Sequence, residues 1–319
     1  MIRRVRKAGF TTAFIQKAIL PQWWDVDCED NYNLLAEIEF RVARFLDTSI
    51  AAVKDPQEPL TPPQYNFVRM RRIHDIEHDR LAPAIHTALR IASAVLRNLS
   101  PSTTYLPIPS DPIQLRDMLL SNEHSVTLEG LLSYLWKNGI PVIPIDVLPS
   151  PSFQGMTCFI EGRPVIALGH KHDAPGRSAF IIAHEIGHIT SGHCNQGAII
   201  VDEEDDFERS QDEHEADHYA TKLFIGKNDV PKISSKEFKS IAEEAYQIEL
   251  FLGINAGFTI FNWGKLNNDF TTAGRALKAL YMHSGARLTV KEHLQKNISH
   301  DGVSESDQAL INCIFEESL

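Results

Sequence analysis

The sequence predicts an α+β protein: a small antiparallel sheet packed on a buried helix and a second helix, with helical regions on both sides. Three observations carry this expectation. Residues 34–45 and 81–99 repeat apolar side chains at helical spacing. Residues 156–160 and 163–168 read as two short strands around Glu161-Gly162. Residues 179–189 are apolar nearly all round, the mark of a helix enclosed in a core.

In chain order, residues 1–111 form a mainly helical N-terminal region. LLAEIEFRVARF, from Leu34 to Phe45, and the segment Leu81 to Leu99 carry the pattern, with Pro56, Pro59, Pro62 and Pro63 punctuating the chain between them. A Pro/Ser-rich stretch from Ser100 to Pro112 reads as a linker. The core region follows over residues 112–230. Val126 to Asn138 is expected to be helical. Ile140 to Leu148 is expected to be a strand that Pro141 and Pro144 confine to a sheet edge. The hairpin, the apolar helix and a second helix from Gln211 to Phe224 complete this region. Residues 231–319 read as a helical C-terminal region with loops at Gly253 and Gly285, and with Phe258, Phe261 and Trp263 as core.

Composition narrows the function classes. The 319 residues are 43% hydrophobic and 23% charged, ordinary for a soluble globular chain of about two domains. No apolar run approaches the roughly 18 residues of a membrane span. The basic N-terminus, MIRRVRKAGFTTAF, lacks the apolar stretch of a signal peptide. Cys28, Cys158, Cys194 and Cys313 show no paired spacing, so a reduced, cytoplasmic setting is the simplest expectation. A net charge of −11 argues against a general nucleic-acid binder. Basic patches at Arg3, Arg4, Arg6 and Lys7, and at Arg69, Arg71 and Arg72, leave room for a limited contact. The acidic run Asp202-Glu203-Glu204-Asp205-Asp206 reads as an exposed loop that could also steer a basic substrate.

The chemistry concentrates in His184-Glu185-Ile186-Gly187-His188. On a helix, two His four residues apart point the same way, so both imidazoles can reach one metal ion. Glu185 beside them can take a proton from a metal-bound water, the core of a zinc hydrolase. A chain of this composition contains HExxH by accident with a chance of roughly 4%, so the context must carry the rest. Two His and a Glu in an apolar helix need partners, because buried polar groups without them are costly. Gly187 is explained by close packing against a neighbour, and Gly192 ends the helix. A catalytic zinc takes three protein ligands. A longer pattern with a third His fits poorly: its Gly and His positions hold Ser191 and Cys194, with Gly192 and His193 displaced by one. A carboxylate from the helix QDEHEADHYATKLF fits better, and Glu215 lies at the border of its apolar face of Ala216, Tyr219, Ala220, Leu223 and Phe224. Cys194 is read as a small buried residue after the helix cap.

HEIGH, an acidic loop and then EHEADHYATKLF resemble the ImmA/IrrE metallopeptidases, over about residues 140–230. The resemblance implies a zincin-like core, one zinc ion per chain held by His184, His188 and Glu215, and Glu185 as general base. Phe224-Ile225-Gly226 departs from the family's Leu-Met-Pro at the helix end. It further implies an endopeptidase whose substrate is one partner protein, a repressor of the helix-turn-helix class, in a stress, mobile-element or toxin-antitoxin-like response. Candidates for the donor that steadies the transition state are His214, His218 and Tyr219, with His170, His172 and His193 nearby in sequence. Leu34 to Asp55 resembles the last helices of a repressor-type helix-turn-helix domain, without a readable recognition helix. The rival reading is a regulatory or DNA-binding protein that keeps the zinc fold as a scaffold. An intact Glu185 argues against it, since a scaffold needs no base.

Overall fold

The computed structural model describes residues 1–21, 23–24, 31–63, 65, 68–70, 75–100, 103–121, 123–169, 173–194, 198–202, 210–299 and 301–315. The N-terminal part holds α1 (Ile2–Lys7), α2 (Thr12–Phe14) running into a π-turn (Ile15–Ile19), α3 (Tyr32–Leu46), α4 (Ile50–Lys54), strand β1 (Val68–Met70) and the long α5 (Asp75–Arg97). The middle holds α6 (Pro112–Leu119), α7 (Leu128–Lys137), β2 (Val142–Pro144), β3 (Gly155–Ile160), β4 (Arg163–Leu168), α8 (Pro175–Thr190), β5 (Ile199–Asp202) and α9 (Gln211–Ile225). Helices α10 (Phe238–Leu252), α11 (Ala256–Asn267), α12 (Phe270–Ala279), α13 (Ala286–Asn297) and α14 (Glu305–Phe315) follow.

The α+β class holds, and the strands form one five-stranded sheet in the order β1-β5-β3-β4-β2. Its centre is the expected hairpin. Ile160 pairs with Arg163, and Glu161 and Gly162 both take positive φ (53° and 76°), the two-residue turn whose twist matches that of the strands. The sheet is mixed, not wholly antiparallel. β3 runs antiparallel to β4 and β5, but β2 pairs parallel with β4, and β1 parallel with β5. The reason for β2 is geometric. After β2 the chain reverses into β3 and again into β4, and β4 lies between the two. β2 is an edge strand as expected but only three residues long, starting after Pro141 and ending at Pro144.

In the linker region residues 103–109 form no helix or strand, and the Asp111 side chain accepts from Ile113 N and caps α6. α8 is buried on nearly every side, from Ala179 through Ile189, and packs on both β3 and α9. Its first turn also touches α11 closely: a Cβ at Gly176 would lie 2.7 Å from Phe258 N. Gly192, at φ 75°, turns the chain away after α8. The departure at the end of α9 has its own fixing. Phe224 stacks on Phe258 with ring centroids 4.4 Å apart, and the buried Arg116 guanidinium donates to the carbonyls of Leu223, Phe224 and Gly253. A main apolar cluster includes residues from Val5 to Ile314, and α14 packs against α5, where Arg97 and Asp307 pair through two hydrogen bonds of 2.9 and 2.6 Å. A second cluster joins α10, α11 and α12 around Ile260 and Trp263, so Trp263 is core as expected, and Phe258 is buried in the main cluster. Among the described residues no helix is long and apolar enough to cross a membrane.

Candidate metal centre

Gly187 is what lets α8 and α9 meet. A Cβ there would stand 2.7 Å from Ala216 Cα and 2.9 Å from its carbonyl oxygen, so only hydrogen fits between the two backbones. Side chains one turn away on each helix are thereby brought together. His184 and His188 place their Nε2 atoms 3.0 Å apart. Glu213, in the first turn of α9, sets Oε2 3.3 Å from His184 Nε2 and Oε1 3.3 Å from His188 Nε2. All three side chains are buried. Burial by itself would raise the Glu213 carboxyl, but the hydrogen bonds and charge of the two imidazoles outweigh it and hold the group far below the usual carboxylate range.

This donor set fits a metal ion. Donors ~2.0 Å from a tetrahedral ion stand about 3.3 Å from one another, close to the separations here. His184, His188 and Glu213 could therefore hold one ion among the described residues. Each imidazole is steadied from behind through Nδ1. Asp217 Oδ1 lies 2.9 Å from His184 Nδ1, with Lys265 Nζ 3.5 Å from the other Asp217 oxygen. His188 Nδ1 meets Nδ1 of His193 at 2.9 Å. Such backing fixes ring orientation and makes the outward nitrogen a better ligand.

Glu185 turns toward the sheet and is fully buried. Thr157 Oγ1 donates to its Oε2. Gly155, two residues earlier on the same face of β3, leaves room for the other oxygen, since a Cβ there would overlap Glu185 Oε1. On the neighbouring Cys158, burial first and then the Glu185 charge push the thiol up to about 12, so it stays protonated.

The structure brings His184 and His188 together, and the carboxylate it places beside them is Glu213 and not the expected Glu215. Glu215 faces away from the pair: its Oε2 is 3.2 Å from His193 Nε2, and its side chain is 46% exposed. The physical reason is helical phase. Glu213 precedes Ala216 by three and Ala220 by seven, on their face, whereas Glu215 sits about 200° around the helix from Glu213. Extending the apolar face back by one turn reaches Glu213, and Asp217 follows it at the next turn. The chance for Gly155 and Thr157 was smaller, because a strand residue's partner across layers leaves no spacing signal. His214, His218 and Tyr219 are not at the His pair either. They line a separate open cleft of about 390 Å³ with Gln211, Glu215 and Ser191, and the Tyr219 hydroxyl donates to Pro109 O at 2.9 Å. Cys194 is buried, as expected. His170, His172, Cys28, Arg71, Arg72 and the acidic run from Glu203 to Asp206 lie outside the described residues, and nothing is described of the side chains of Arg69 and Asp202.

Residues 178–265 match the family model of Peptidase U49. No curated protein matches the chain. The matched segment runs from α8 into α11, and so contains His184, Glu185, His188, Glu213, Asp217 and Lys265. It covers less than half of the chain and supports a peptidase, a coarser statement than the ImmA/IrrE resemblance.

Proposed function

We propose that this protein is a zinc-dependent endopeptidase with His184, His188 and Glu213 as metal ligands and Glu185 as general base. The observation that carries the reading is the meeting of two imidazole Nε2 atoms and one buried carboxylate at a single point, with Glu185 next to His184 in a segment that matches a peptidase family. Zinc bound there would supply Lewis acidity to a water molecule and to the scissile carbonyl. The Glu185 carboxylate takes the proton of the attacking water and hands it to the leaving amine nitrogen. Thr157 and the space at Gly155 keep that carboxylate in one orientation. The ImmA/IrrE resemblance supports a single partner protein as substrate, a helix-turn-helix repressor, and the acidic run at 202–206 would favour a basic one.

The test is metal analysis of the purified protein, followed by co-expression with candidate helix-turn-helix proteins. One zinc per chain and cleavage that stops in Glu185→Gln are expected, because the amide keeps the shape and loses the base. Unchanged cleavage by Glu185→Gln would show that Glu185 is not the base, whereas no cleavage by the wild-type protein would remove the proteolytic reading and favour a binding scaffold.

A further inference from the structure

We propose that His193 is a positioning residue for His188 and that Glu215 anchors it, the two together directing the His188 Nε2 lone pair toward the metal. The inference rests on the metal-centre reading above and extends it to residues outside the ligand set.

The turn after α8 builds the contact. Gly192 takes a positive φ, His193 N donates to His188 O at 3.0 Å, and the two rings come to rest with centroids 5.1 Å apart. Their Nδ1 atoms are 2.9 Å apart, so one must donate and the other accept. Glu215 decides which. Its Oε2 lies 3.2 Å from His193 Nε2, and a carboxylate only accepts, so the single N–H of a neutral His193 is on Nε2. His193 Nδ1 is then the acceptor, and the proton between the rings sits on His188 Nδ1. That leaves the His188 lone pair on Nε2, the nitrogen that faces Glu213 and His184. Gln211 holds the end of the chain by donating to Glu215 Oε1 at 2.9 Å. His184 reaches the same state in one step, through Asp217. The two ligands are thus set by different devices, a direct carboxylate and a carboxylate acting through a second imidazole.

Zinc affinity of the full-length protein, measured by competition with a chromogenic chelator, tests this. His193→Leu removes the acceptor and should weaken zinc binding by about 10- to 100-fold. His193→Gln should restore most of the affinity, because its amide oxygen can accept from His188 while its NH2 donates to Glu215. The visible spectrum of the cobalt(II)-loaded His193→Gln protein should match that of wild type. Wild-type affinity in a folded His193→Leu protein, or a Gln variant as weak as the Leu variant, overturns the proposal. Should His193→Leu fail to melt cooperatively, Glu215→Leu decides at an exposed position: a loss of several-fold supports the chain of contacts, and no loss overturns it. A wild-type protein that binds no zinc would instead sink the metal-centre reading itself.

Discussion

Gly187 and Ala216 are in backbone contact across α8 and α9, and the approach of two imidazoles to Glu213 depends on it. Alanine at 187 should gain up to about 1 kcal/mol of helix propensity. It should lose more, about 1–3 kcal/mol, because the obstructing atoms are backbone and cannot rotate away. Gly187→Ala is therefore expected to lower the urea midpoint and to weaken zinc binding together. Equal or higher stability would mean that the helices separate freely.

The two candidate carboxylates of α9 separate cleanly. Glu213→Ala should abolish stoichiometric zinc, since one buried donor of three is gone. Glu215→Ala should keep stoichiometric zinc and lose only affinity, because its carboxylate meets His193 and not the ligand nitrogens. Metal content after dialysis distinguishes them, and the reverse order would return the third ligand to Glu215.

How much of this was legible in the sequence follows from the range of the interactions. The His pair and Glu185 between them are fixed by spacing within one helix, and the hairpin by two residues at a turn, so both could be read directly. Glu213 was readable in principle, as the residue three before Ala216, but the border of a helical face is a coarse guide and two residues shift it by more than half a turn. β1 and β5 are strands of three and four residues joined in parallel across a large sequence separation, below the length at which alternation is informative. The support that Thr157 and Gly155 give to Glu185, and the turn that folds His193 back on His188, are made by tertiary packing and have no sequence period.

Glu185 should be sensitive to its seat on β3. Thr157→Val keeps the shape and removes a donor to a buried carboxylate. A hydrogen bond to a charged group contributes about 1.5–3 kcal/mol, so cleavage is expected to fall by about 10- to 100-fold if the lost orientation is felt in the transition state. Gly155→Ala should have a similar effect by displacing the other oxygen. Zinc content should stay at the wild-type level in both. Full activity in Thr157→Val would show that Glu185 is oriented by other contacts.

Far from the metal centre, His86 predicts an acid sensitivity. It is buried beside Phe45 and Tyr65, where Nε2 meets the Phe45 carbonyl and Nδ1 meets the Tyr65 hydroxyl at 2.6 Å. A neutral ring satisfies both, donating from Nε2 and accepting at Nδ1. Burial, aided by the Arg90 charge and opposed by the Phe45 hydrogen bond and Asp47, lowers the imidazole from its ordinary value of 6.5 to about 4. The folded state therefore binds this proton less readily than the unfolded chain. The contribution is fully present above pH 6.5 and is lost as the pH falls from 6.5 toward 4. Between pH 7.5 and pH 5 the loss attributable to His86 should be about 2 kcal/mol. Urea unfolding of wild type and His86→Gln at both pH values isolates it, because the other histidines are common to the two proteins. The variant should start less stable at pH 7.5 and lose less on acidification, and parallel losses in the two proteins would assign the acid sensitivity elsewhere.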